Sequence, residues 1–504
     1  MNTYMNYLRH LFLPVLVLLL FSCKSDKMEN EPSLTQKTVI EGTIKNGKFS
    51  EYGTTIHLSY PNYIAGDYVE ETAVIDSLTG QFTFELNTTV PQQVYVYHNQ
   101  GFELFITPGE TVTVNFDNSF NEEEVFKENI DFKGANAADN RMLLNYKSLF
   151  PEDYTRNETI IRSGKPEAYK NYLDSLYIVK DTKIDAFIKE NNPSPFFKNW
   201  LETEKKFAKN AKLLAYIPLH NMFTRQFVKV DDNFFKEAMT PVSFTEKDLV
   251  NNTLSSDYIR YYGYQINTDI QNALSPEELK RPEKRDSVYF KKIDAVASKN
   301  KLLAQLVANQ YVQGMLSNNS VTYYEKHRGK FDTLFSESIF EKSLARKYGS
   351  VKDLLDNPVL PEGSELLSFK SENSEDFIQE IIANANGKVV FIDNWATWCG
   401  PCKQEFKEAT PALKEKFEDD VEFVYLCHQS DEKLWKPSIA QYKVKGKHYF
   451  LNKEESKPIF KQINLQGFPT YTIINKKGEI VNSGFEYRPS ESITTEILTK
   501  LVAE

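Results

Sequence analysis

At 504 residues the chain is long enough for about three domains, and its 41% hydrophobic and 13% aromatic content argues for folded cores throughout. The formal net charge is −10, and without residues 1–22, whose one charged side chain is Arg9, it becomes −11. Such a balance argues against a nucleic acid as partner.

The chain opens on Met1–His10, with one positive residue and no acid. Leu11–Phe21 is an apolar run too short to span a bilayer but of the length of a signal-peptide core. It ends in Leu20-Phe21-Ser22-Cys23, which resembles a bacterial lipobox, although Phe21 is bulkier than the usual residue there. The resemblance implies a signal peptide over 1–22, lipidation of Cys23 and a polar tether over 23–37.

Residues 38–134 read as an all-β, sandwich-like domain. Phe82, Phe84 and Leu86 alternate with polar residues, as do Val112, Val114 and Phe116. Turn signals stand at 76–80 and at Thr107-Pro108-Gly109-Glu110. Tyr95, Tyr97, Phe102 and Phe105 read as core residues, with a ligand platform as the alternative.

Residues 135–352 read as helical. Pro166 opens a long amphipathic segment that Asn192-Pro193 closes, and a second strong run from Val288 to Leu316 is interrupted near Asn300. The cluster Tyr258, Tyr261, Tyr262 and Tyr264 reads as helix packing, with a peptide-binding face as the alternative. His220 and His327 are isolated and receive no metal role. Loop signals at 353–361 lead into a C-terminal domain over 357–504.

That domain carries the chemistry. Val389–Asn394 is a nearly continuous apolar run, as in a strand buried on both faces of a parallel sheet. Cys399-Gly400-Pro401-Cys402 follows, and a helical stretch begins there. Cys399 thus sits at a helix N-terminus, where unpaired N–H groups and the macrodipole favour a thiolate. Pro401 suits a first-turn position, and Cys402, about one turn in, can attack a mixed disulfide formed on Cys399. A lone C-x-x-C could be half a zinc site, but no second pair exists and Cys427-His428 is a poor substitute. Lys403 after Cys402 excludes c-type haem attachment. No metal and no cofactor is expected, and Cys427 reads as a small core residue.

The run Trp395, Ala396, Trp398, Cys399, Gly400, Pro401 and Cys402 strongly resembles the thioredoxin active site. The resemblance covers roughly Leu360–Glu504 and implies an α/β thioredoxin fold with a Cys399–Cys402 redox disulfide. It implies Asp393 as a buried proton acceptor for Cys402, and Pro469 as a cis-proline beside the disulfide. It makes Trp398, Gly400, Pro401, Phe468, Pro469 and Thr470 the substrate-binding residues. Glu405 matches a glutamate near the site in the TlpA/ResA-like envelope branch, which implies a place for it among the catalytic residues with Cys399, Cys402 and Asp393, and the long segment 429–466 matches an insertion of that branch. The β region resembles a domain of unknown function that precedes such thioredoxins in envelope lipoproteins. One departure is Lys407, where the family often has proline and a helix kink; here Pro411 comes later.

Together these readings predict a multidomain protein: an all-β N-terminal domain, a helical middle and a thioredoxin-like end. Its expected function is membrane-anchored thiol-disulfide oxidoreductase, most simply a reductase of envelope-protein disulfides with Cys399 as nucleophile and Cys402 resolving. Export implies a cell-envelope, periplasm-facing location and recharging by a partner, and the family resemblance implies a membrane thiol electron donor in that role. An oxidase or isomerase of the same fold, or a binding lipoprotein that uses the fold for docking, are the alternatives.

Overall fold

The computed structural model describes residues 36–120, 122–150, 153–231, 233–240 and 244–504. The expected signal peptide, Cys23 and the tether up to residue 35 lie outside the described residues. Among the described residues no helix is long and apolar enough to cross a membrane. The chain divides into two compact units. One takes in the described part of Leu20–Gly314 with Gly329–Leu344; the other takes in Met315–Arg328 and Ala345–Glu504.

The first unit begins with eight strands: β1 (Gln36–Lys45), β2 (Thr55–Asn62), β3 (Asp67–Val74), β4 (Gln81–Thr88), β5 (Gln92–His98), β6 (Gln100–Ile106), β7 (Thr111–Asp117) and β8 (Asp131–Gly134). They form two sheets, in the orders β4-β1-β7-β8 and β3-β2-β5-β6. Both sheets contribute to one core, with Ile40, Phe84 and Val112 from the first and Leu58, Val96 and Leu104 from the second. β4 alternates strictly, burying Phe82, Phe84 and Leu86, as a strand with one wet face must. The same period of two corrects one expectation. Phe102 and Phe105 are buried, but Tyr95 and Tyr97 alternate with buried Val94 and Val96 and point away from the core.

Helices complete this unit. Pro166–Asn191 starts on its proline and stops where Asn192 turns left-handed (φ 44°). Pro282–Ala297 and Lys301–Ser317 are separated at Asn300, whose side chain accepts from the Leu303 N–H at 2.9 Å. Tyr258 and Tyr262 are buried and donate to the Ala238 and Met239 carbonyls, which fits helix packing. His220 is buried and bonded to the Ile161 carbonyl.

Two asparagines join helices to the β5–β6 hairpin. Gln93 and Phe105 face each other across that pair. Asn252 accepts from the Gln93 N–H at 2.9 Å and donates to its carbonyl at 2.8 Å. Asn140 does the same for Phe105, at 2.6 and 3.2 Å. Each side chain supplies the bonds that a further strand would otherwise make.

The second unit holds a six-stranded sheet ordered β14-β13-β10-β11-β12-β9. Its strands are β9 (Ser364–Leu367), β10 (Val389–Trp395), β11 (Val421–His428), β12 (Gly446–Leu451), β13 (Thr470–Ile474) and β14 (Ile480–Gly484). β9, β12, β11 and β10 run parallel, while β13 and β14 are antiparallel additions. β12 and two helices, Glu432–Tyr442 and Lys453–Gln462, arise from the long segment 429–466. Every residue of the central β10 is buried. Val389, Phe391 and Trp395 enter the core that contains both active-site cysteines, whereas Val390 and Ile392 enter the core on the opposite face. The helix Ile339–Asp356 runs past 352, and this unit also takes in Met315–Arg328, where buried Asn319 donates to Gln441 at 2.7 Å.

Candidate active site

The cysteine loop leaves the end of β10 and turns directly into the helix Gly400–Glu408. Cys399 caps that helix: its sulfur accepts from the Cys402 N–H at 3.1 Å, and Pro401 occupies the first turn. Cys399 and Cys402 form a disulfide with Cα atoms 5.4 Å apart. Cys402 is fully buried and Cys399 is 3% exposed, so the first cysteine is the one that solvent reaches. The helix stops at Ala409, and Pro411 lies in the first turn of the next, Thr410–Phe417. The break thus falls at the proline this sequence has, beyond Lys407.

Asp393 lies on β10 and points to the disulfide face of the sheet. It is fully buried, and neither carboxyl oxygen has a hydrogen-bond partner among the described residues. Burial, and secondarily the charge of Glu405, push its pKa well above the usual carboxylate range. Register places Tyr425 of β11 and Tyr471 of β13 on either side of it. Both tyrosines are buried with unpartnered hydroxyls, and among the described residues no cation holds the charge of Asp393.

Glu405 is buried. Its carboxylate accepts from the Ser490 N–H at 3.0 Å and from the Ser490 hydroxyl at 2.8 Å, which fixes it within electrostatic reach of Asp393. Lys403 is also buried, and desolvation lowers its pKa.

The residues expected to bind substrate gather at the same end of the sheet. Asn394 pairs with Thr470, so the segment entering β13 arrives beside the exit of the cysteine loop. The Phe468–Pro469 peptide is cis. Pro469 and Thr470 are buried and Phe468 half-buried, while Gly400 and Pro401 are exposed. Trp398 is 61% exposed, donates its indole N–H to the Gln429 carbonyl at 2.8 Å and sits edge-on to Phe468 at 5.6 Å. Cys427 is buried with its thiol pushed up to about 12 by desolvation, which suits a core residue and not a nucleophile.

Sequence reasoning missed Asn394, Tyr425, His428, Tyr471 and Ser490. Asn394 and His428 did carry a signal: each is a polar residue ending an apolar strand run. Among the described residues no cluster of three or more His, Cys, Asp or Glu could hold a metal.

The Redoxin family model matches residues 361–499. The chain is similar to the thioredoxin-like protein YneN of Bacillus subtilis, 32% identical over 102 residues, covering 20% of this chain and 57% of YneN. It is 26% identical over 122 residues to the thiol-disulfide oxidoreductase ResA of the same organism, covering 24% of this chain and 66% of ResA. The chain therefore spans between half and two thirds of the length of these relatives. A solution structure of a thiol:disulfide interchange protein from Bacteroides sp. aligns at 24% identity over 24% of this chain and 77% of that one, with TM-score 0.22. With the Cys399–Cys402 pair, the buried Asp393 and the cis Pro469 placed around one strand end, the C-terminal region is a TlpA/ResA-like domain of the thioredoxin superfamily.

Proposed function

We propose that this chain is a thiol-disulfide oxidoreductase that reduces disulfides of cell-envelope proteins. The observation that carries the reading is a disulfide at a helix N-terminus, whose small exposed surface belongs to the first cysteine, beside a strand that carries a buried carboxyl. In the reduced protein the Cys399 thiolate attacks a substrate disulfide, forming a mixed disulfide and releasing one substrate thiolate. Cys402 gives its proton to the Asp393 carboxylate, attacks the Cys399 sulfur and releases the second substrate thiolate. Two electrons pass from the dithiol to the substrate, and the Cys399–Cys402 bond re-forms. The raised pKa of Asp393 makes its carboxylate a stronger base than an exposed aspartate, which favours the proton transfer. Trp398, Phe468, Pro469 and Thr470 would hold the substrate backbone beside the sulfurs.

Direction is tested by the equilibrium potential of the pair against glutathione. Reductase action expects a value near the thioredoxin end, about −270 mV, together with dithiothreitol-driven reduction of insulin. A value near the oxidising end, about −120 mV, would reverse the assignment. The electron donor in this reading is a membrane thiol protein.

The same proposal places the chain at the envelope, facing the periplasm and anchored through Cys23. The apolar run Leu11–Phe21 followed by Ser22-Cys23 supports it. A fed palmitate analogue should label the wild-type chain and not Cys23→Ser; equal labelling of both would remove the anchor from the reading.

A further inference from the structure

β10 sends alternate side chains to opposite faces, so Asp393 points toward the disulfide and Asn394 points away from it. Asn394 donates its amide to the Thr470 carbonyl at 3.0 Å, and its Oδ1 lies 3.1 Å from Nε2 of His428. Nδ1 of His428 lies 3.0 Å from the Ser456 hydroxyl, on the helix Lys453–Gln462. Asn394, His428 and Ser456 are all fully buried.

The chemistry of these groups fixes the direction of the chain. A carbonyl only accepts, so the NH2 end of Asn394 must face Thr470 and leave Oδ1 for His428. Oδ1 also only accepts, so Nε2 carries the hydrogen. The Ser456 hydroxyl has one hydrogen and two acceptors in reach, Nδ1 at 3.0 Å and the Asn452 carbonyl at 2.7 Å. Burial pulls the imidazole pKa down to about 3, which leaves the ring neutral with its hydrogen on Nε2.

The ring and the backbone of His428 reach the two sides of the active site. The ring lies nearly parallel to Phe468, at 5.7 Å and 20°, and Phe460 braces it at 5.1 Å. The His428 carbonyl accepts from the Ser430 hydroxyl at 2.7 Å, and that oxygen accepts from the Thr397 N–H at 2.9 Å. The neighbouring Gln429 carbonyl holds the Trp398 indole. One buried residue and its neighbours thus touch the cysteine loop on one side and the Phe468–Thr470 segment on the other.

We propose that His428 is a positioning residue for disulfide exchange: its ring sets Phe468, and through Asn394 it sets the Thr470 carbonyl, so that a protein substrate's backbone is aligned with the Cys399 sulfur. This rests on the oxidoreductase reading above. Misplacement of reacting groups by about 1 Å can cost on the order of a hundredfold, so loosening this ledge penalises substrates that dock on it. A small aryl disulfide reaches Cys399 without docking there.

The test uses the reduced full chain with two substrates, insulin and 5,5′-dithiobis(2-nitrobenzoate). His428→Phe keeps an aromatic face but removes both hydrogen bonds. It should slow insulin reduction roughly tenfold or more, chiefly through KM, and change the aryl disulfide rate less than about twofold. His428→Gln, which retains a donor and an acceptor, should recover part of the loss. Equal slowing on both substrates, or none on either, would overturn this assignment alone. A wild-type chain inert toward both would overturn the functional reading and this assignment with it. Should His428→Phe fail to fold, nitrogen NMR of the wild-type ring decides: a hydrogen on Nε2 at pH 7 is required, and a neutral ring with its hydrogen on Nδ1 refutes the relay.

Discussion

Cys399→Ser is expected to lose disulfide exchange, with rates falling on the order of a thousandfold or more, as when a covalent nucleophile is removed. Cys402→Ser should instead keep the first step and stall at the second. Cys399 caps its helix and holds the small surface the pair exposes, while Cys402 has none. An incoming substrate therefore meets Cys399, and only an intramolecular partner can reach the bond from below. Expressed in cells, Cys402→Ser should accumulate mixed disulfides with its clients, separable under non-reducing conditions and released by dithiothreitol. Comparable trapping by the two variants would refute the assigned order of attack, and identification of the trapped chains would name the substrates.

The second large effect belongs to Asp393. Asp393→Asn removes the base proposed to take the Cys402 proton, and resolution of the mixed disulfide should slow about a hundredfold at pH 7, the lower range for loss of a general base. The deficit should shrink as pH rises and hydroxide takes over the deprotonation. Stability should move the other way. An unfolded aspartate titrates near about 3.9, whereas burial and Glu405 raise the folded value well above that range. Between those two values the folded state holds more protons than the unfolded state. Stability contributed at this site is therefore lost as pH rises through that window, and the penalty is complete above the folded pKa. Each unit of elevation corresponds to about 1.4 kcal/mol. Oxidised Asp393→Asn should thus gain on the wild type as pH increases, measured by denaturant unfolding at pH 5 and pH 8. A gap that does not change with pH would mean that Asp393 is not the group concerned.

The chemical pair was legible because its determinants are contiguous: strand, two thiols and helix start within one short run. Glu405 and Pro469 were reached through the family pattern, but what holds Glu405 was not, because Ser490 is 85 residues away. The same limit hid the neighbours of Asp393. Tyr425 and Tyr471 flank it only after β11 and β13 align in one register, and no local spacing encodes that alignment. In the β region the alternation was readable in β4, yet Tyr95 and Tyr97 were assigned inward because aromatic character outweighed their phase relative to Val94 and Val96. The helix break followed the same logic from the other side. Local chemistry decides it, and Pro411 sets its place where the family pattern pointed to position 407.

The chain contains four tryptophans, and their surroundings differ in a useful way. Trp200, Trp395 and Trp435 are buried, while Trp398 stands exposed above Phe468. Light emission from the solvated indole should therefore lie to the red of the other three and be the part that iodide can quench. The docking ledge carries its own optical label, so arrival of a client beside Cys399 can be watched in the unmodified protein.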